Sequence, residues 1–142
     1  MRRYQRELQM KIKILAAACI ALASLGASAE WVEIASNGES TLYADPESVR
    51  RSNDLARMWH MEDFKAAITM DGGMTFTSTR TRTEFNCNDE TQRRLYVSAH
   101  SKHMAEGGPV LTVTDVGTWK SIPPKTKLAE LFNYVCELKR GS

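Results

Sequence analysis

Thr77-Ser78-Thr79-Arg80-Thr81-Arg82-Thr83-Glu84-Phe85-Asn86-Cys87 is the stretch whose reading decides the fold. It alternates with period two and is dense in threonine, a β-branched residue suited to a pleated strand. Thr79, Thr81, Thr83, Phe85 and Cys87 fall on one face; Arg80, Arg82, Glu84 and Asn86 fall on the other. That alternation describes a half-buried strand of an antiparallel sheet, with Cys87 turned toward the core.

The flanking segments repeat the pattern. Trp31 to Ala35 reads as a first strand, Asn37-Gly38 as a hairpin turn, and Thr41 to Ala44 as the return strand. Asp45-Pro46-Glu47-Ser48 breaks the run; Asp45 is expected to cap a short helical turn with Pro46 at its first position. Ala56 to Phe64 is a third strand with Trp59 and Met61 on one face, followed by the turn Asp71-Gly72-Gly73. After Cys87, Asn88-Asp89-Glu90 turns the chain and Arg93 to His100 comes back. Gly107-Gly108-Pro109 breaks it again before a sixth strand, Val110 to Val116. Pro123-Pro124 ends the sheet pattern. From Lys125 to Glu137, Leu128, Leu131, Phe132 and Val135 recur at helical spacing, with Thr126 as N-cap. The expected fold is α+β: an antiparallel sheet of about six strands packed with a C-terminal helix. Trp31, Trp59, Phe85, Leu128, Leu131, Phe132 and Val135 are the expected core.

The start of the chain sets the compartment. Lys11, Ile12 and Lys13 precede an apolar run from Ile14 to Leu25, which ends in Ala27-Ser28-Ala29. A positive segment, an apolar segment and an A-x-A site make a secretory signal peptide over residues 1–29. Met10 offers an internal start, because Met10 to Ala29 is a complete signal by itself. Cleavage leaves one domain, residues 30–142, exported to the periplasm first of all, with the outer surface or the medium as alternatives. The 142 residues include 19 Lys+Arg and 17 Asp+Glu. Five of the basic residues (Arg2, Arg3, Arg6, Lys11, Lys13) and one acid (Glu7) belong to the signal, leaving 14 basic and 16 acidic residues in the domain. The basic balance therefore belongs to the signal and gives no argument for a nucleic-acid partner.

Cys19 lies inside the signal. A lipobox needs an aliphatic residue three positions upstream, and Ala16 stands there. That leaves Cys87 and Cys136 in an oxidising compartment. The alternatives to a structural disulfide are a reactive thiol and a metal pair. No CxxC and no neighbouring histidine supports either, so the pair reads as a disulfide that pins the terminal helix onto the sheet. A loop of about 50 residues closed this way is worth roughly 4 kcal/mol in the chain-entropy model.

Motifs that dictate a reaction are missing: the chain has no GxSxG and no P-loop. His100 and His103 sit at a strand end, where positions three apart face opposite sides, and read as surface histidines rather than a metal pair. His60 reads as structural. No cofactor or metal is expected. The candidate binding residues are Arg80, Arg82, Arg93 and Arg94, which flank one hairpin. Arginine clusters suit carboxylates, sulfates and phosphates. The competing reading is a solvated face balanced by Glu84, Asp89 and Glu90.

Taken in order, Trp31-Val32-Glu33-Ile34, Leu42-Tyr43-Ala44-Asp45 with Ser48-Val49, Met58-Trp59 with Asp63-Phe64, Glu84-Phe85-Asn86-Cys87 followed by Arg94, Met104 with Gly107, Trp119 with Ile122-Pro123, and Val135-Cys136 resemble the surface-adhesin protein E-like family of small Gram-negative envelope proteins. The resemblance implies an antiparallel sheet with a C-terminal helix and a disulfide matching Cys87 and Cys136. Its founding type is a surface lipoprotein that binds host matrix proteins. This chain departs from that type in having no lipobox. The expected function is a non-enzymatic envelope protein acting through surface contacts with a protein partner, a host matrix protein or an envelope component. The alternative is a periplasmic small-ligand carrier or a small enzyme.

Overall fold

The computed structural model describes residues 30–138. The expected signal peptide, the internal start at Met10 and Cys19 lie outside the described residues. Strands β1 (Val32–Ser36), β2 (Ser40–Ser52), β3 (Leu55–Thr69), β4 (Thr75–Asn86), β5 (Thr91–His100) and β6 (Pro109–Val113) form an antiparallel meander in chain order. A two-residue strand, β7 (Lys120–Ser121), pairs with the start of β5. The helix α1 (Lys127–Glu137) follows. The sheet, the helix and the disulfide are as the sequence indicates. Cys87 and Cys136 are bonded, with Cα atoms 5.8 Å apart.

The turns are made by the residues expected to make them. The Asn37 side-chain oxygen accepts from the backbone N–H groups of Glu39 and Ser40 at 2.9 and 3.0 Å, closing β1 onto β2. Gly72 and Gly73 have φ of 91° and 83°, a region that only glycine enters without strain, and they close β3 onto β4.

The core lies between α1 and one face of the sheet. Leu42, Ala44, Ala56, Met58 and Phe85 from the sheet meet Leu131, Phe132 and Val135 from the helix. The helix is fastened at both ends. Thr126 Oγ1 accepts from the Ala129 N–H at 3.1 Å. Lys127 Nζ donates to Ser40 and to Glu62, the latter at 2.6 Å. At the other end Arg51 donates to the Val135 carbonyl, placing a cation where the helix dipole favours one, one residue from the disulfide.

Two expectations are corrected. Asp45 caps no helical turn: β2 runs through Pro46. The ladder to β3 skips from Asp45 to Arg50, so Pro46 falls in a bulge, where its missing N–H costs no ladder bond. Ser48 repairs the gap, its hydroxyl donating to the Asp45 carbonyl at 2.6 Å and accepting from the Trp59 N–H at 2.9 Å. Trp59 is not in the core. It shares a face with Met61 as expected, but that face is the open one; the phase of β3 gives the helix side to Ala56 and Met58.

Candidate functional site

Direct partners in an antiparallel ladder share a face, so the registers set out the open face as rows running across β2 to β5. One row reads Arg50, Arg57, Glu84, Arg93; the next Asp45, Trp59, Arg82, Tyr96; the third Tyr43, Met61, Arg80, Ser98. A register shift between Arg82 and Thr83 leaves Leu95 of β5 without a partner, and this puts Arg93 and Tyr96 on the same side of the sheet.

Three of the four arginines singled out from sequence thus come together. Arg80 and Arg82 share the open face, and Arg93 joins them through Glu84. Arg94 does not: it pairs with Thr83 and faces the helix side, where it is exposed. Arg57 and Arg50 were missed. The signal for Arg57 was available in the phase of β3, where Arg57, Trp59 and Met61 alternate on one face; Arg50 joins only through its pairing with Arg57.

The side chains interlock. The Arg80 guanidinium sits 4.3 Å from the centroid of the Trp59 ring, and Trp59 meets Tyr96 edge-on at 5.3 Å. Arg93 lies over the Trp119 ring at 4.7 Å. Such cation–π contacts hold a guanidinium in a fixed plane. Glu84 is fully buried beneath the first row. Arg93 holds its Oε1 through Nε and Nη2 at 2.7 and 2.6 Å, and Arg57 donates to its Oε2. Burial pushes the Glu84 carboxyl up, but the hydrogen bonds and charges of Arg57 and Arg93 outweigh it and hold it below its ordinary value. Asp89 bonds to Asn86 and Asn88 instead of to an arginine.

One end of the face is closed by residues 101–108. Asp63 accepts from the Met104 N–H at 2.9 Å and from His103 Nδ1 at 3.1 Å. The Ser78 hydroxyl donates to the Lys102 carbonyl and accepts from the Ala105 N–H. These bonds hold Met104 and Ala105 at φ of 57° and 55°, a left-handed region costly for residues with a Cβ. His103 is exposed, as expected. His100 is not: the returning segment buries it, with Nδ1 bonded to the Gly107 carbonyl and Nε2 to Ser98. No three potential ligands gather into a metal cluster among the described residues.

The helix side offers two open recesses along α1. One, of about 450 Å³, lies among Ala35, Ser36, Asn37, Lys125, Lys127 and Glu130; the other, of about 360 Å³, is bordered by Val32, Glu33, Glu130, Asn133 and Glu137. The histidine with a displaced titration lies in neither. His60 bonds to Thr83 Oγ1 at 2.8 Å and its Nδ1 is buried without a partner. Burial pushes it down to about 4, against an upward pull from Glu62.

Comparison with known proteins follows the same lines. The family model described as surface-adhesin protein E matches residues 31–137. Among solved structures, crystal form II of Haemophilus influenzae protein E is similar with a TM-score of 0.59 at 14% identity, covering 80% of this chain and 95% of that one. A second structure of Haemophilus influenzae protein E gives 0.58 at 14% identity, covering 78% and 86%. Protein E from non-typeable Haemophilus influenzae gives 0.52 at 14% identity, covering 80% and 79%. At that identity the likeness is one of fold. None of the curated proteins matches.

Proposed function

Because the chain belongs to the surface-adhesin protein E family, we propose that it is an exported, non-enzymatic envelope protein that adheres to a protein partner through its open sheet face. The observation that carries this reading is the arginine–aromatic lattice. Arg80, Arg82 and Arg93 stand in register with Trp59 and Tyr96 on a face that α1 does not cover. Arginine and aromatic side chains are the residues that supply most binding energy at protein surfaces. The sequence points first to the periplasm, where the partner would be an envelope component; the family points outward, to host matrix proteins.

Two measurements test this reading. Protease digestion on intact cells, compared with cells whose outer membrane is permeabilised, places the protein. Digestion on intact cells puts the lattice in reach of host matrix. Purified residues 30–142 are then offered to immobilised matrix proteins. Binding lost in Arg80→Glu/Arg82→Glu, with the thermal midpoint kept, supports the face; binding unchanged in that variant removes it.

A further inference from the structure

The open face gathers positive charge in a domain that is acidic as a whole. Residues 30–142 hold 14 basic and 16 acidic residues. Yet the three rows carry five arginines against two acids, Glu84 and Asp45. Glu84 is engaged at both oxygens by Arg57 and Arg93. Asp45 is buried. Neither Arg80 nor Arg82 has an ion pair among the described residues.

Arg80 has a further peculiarity. Its Nε is buried with no hydrogen-bond acceptor while its guanidinium sits over the Trp59 ring. A buried donor without a partner is uncommon and calls for an acceptor. A guanidinium already fixed in its plane loses little freedom when an oxyanion meets its edge.

The spacing indicates what kind of anion. Strands lie about 4.8 Å apart, so the row from Arg50 to Arg93 spans roughly 14 Å. That is too long for one small anion and suits a chain that carries charge at repeated steps. Trp119, 40% exposed beside Arg93, and Tyr96 beside Arg82 place ring surfaces between the charges. Aromatic rings give an apolar rest for the flat side of a sugar, while the guanidinium fork matches a sulfate.

We infer that the open face binds a densely sulfated glycan chain laid across β2 to β5. Its sulfates meet Arg80, Arg82 and the Arg50–Arg57–Arg93 row, and its sugar rings rest against Trp119 and Tyr96. The ligand presupposes the adhesive role: it is the glycan borne by a matrix protein, met outside the outer membrane.

Heparin serves as the probe, with oxidised residues 30–142 in solution and binding followed by calorimetry at two salt concentrations. Binding should weaken steeply with salt. Arg80→Glu/Arg82→Glu should weaken it by about tenfold or more through like-charge repulsion, while Arg94→Glu, on the opposite face, leaves it within about twofold. Arg80→Gln/Arg82→Gln and a thermal midpoint on each variant separate lost binding from lost fold. Amide shift changes in the wild-type chain should centre on Arg80–Tyr96 rather than on α1. Equal loss in Arg94→Glu, undiminished binding of desulfated heparin, or equal affinity for single-stranded DNA of matched charge would overturn the inference. Preferential binding of phosphorylated lipopolysaccharide would overturn it too, moving the ligand to the envelope. If matrix proteins bind through Arg80 and Arg82 but heparin does not, the glycan is wrong and the adhesive role stands. If matrix proteins do not bind at all, the adhesive role itself fails.

Discussion

Arg93 grips a single oxygen of Glu84 with two of its nitrogens, Nε at 2.7 Å and Nη2 at 2.6 Å, leaving the other oxygen to Arg57. Glu84 is buried while the arginines are part-exposed, so the acid is the keystone and the two cations are its solvated flanks. Glu84→Gln would set amide hydrogens against a guanidinium. It should cost about 1.5–3 kcal/mol in urea denaturation, the range for hydrogen bonds to charged groups. The same variant should bind heparin more tightly, because it removes the acid that engages Arg57 and Arg93. Stability and affinity moving together would count against this arrangement.

Acid should unfold the domain in two stages. The unfolded chain protonates a histidine near 6.5, whereas His60 in the fold waits until about 4. Between those values the unfolded state binds more protons, so stability falls as pH drops through that window. The loss is up to about 3 kcal/mol. Glu84 acts further down: its folded carboxyl titrates below its ordinary 4.5, so its contribution is present above that value and disappears as pH falls through the folded one. Denaturant midpoints from pH 7 to pH 3 should show both limbs, and His60→Gln should flatten only the upper one.

Removing the disulfide should release the helix before the sheet. Cys87→Ala/Cys136→Ala opens a link between residues 49 apart and should cost about 4 kcal/mol. The helical part of the circular dichroism signal should melt first. An intact mass showing two free thiols in the protein purified from the envelope would contradict the bonded state.

The Lys127 contact tests how α1 is seated. Lys127→Met removes the cation beside Glu62, which keeps the Ser40 hydroxyl as donor, and takes a donor from that buried hydroxyl. A loss of about 1–2 kcal/mol is expected, with Thr126→Ala close to 1 kcal/mol beside it. A neutral Lys127→Met would mean the start of α1 is seated by its cap and apolar contacts rather than by the Lys127 ion pair.

Where the alternation was clean, as from Thr79 to Cys87, the sequence named both faces correctly, because a period of two admits one phase. It also placed Leu131, Phe132 and Val135, because helical spacing leaves one apolar stripe. It misplaced Trp59 because phase does not say which face a helix will cover; a large aromatic ring suits a core or an arginine equally well. It misread Pro46 as a break because the strand runs through proline in a bulge, where the Ser48 hydroxyl, eleven residues away in sequence, accepts the Trp59 N–H that the ladder skips. His100 was taken for a surface group because its shield, Gly107, arrives only when the chain folds back. The open face was half legible: Arg80 and Arg82 follow from alternation, but which of Arg93 and Arg94 joins them depends on a ladder that reasoning along one strand does not contain.

The meeting of Arg93 and Tyr96 on one side turns on Leu95, the residue between them that the ladder skips. Strip it from the chain and Arg93 and Tyr96 stand two places apart, where plain alternation holds them on one side with no bulge at all. Relatives without that residue would present Arg93 and Tyr96 on the same side from an unbroken ladder, while those that keep it carry a sharper local twist in β5. Among such chains, the row a residue occupies is a better guide to shared binding than its distance along the chain from the next arginine.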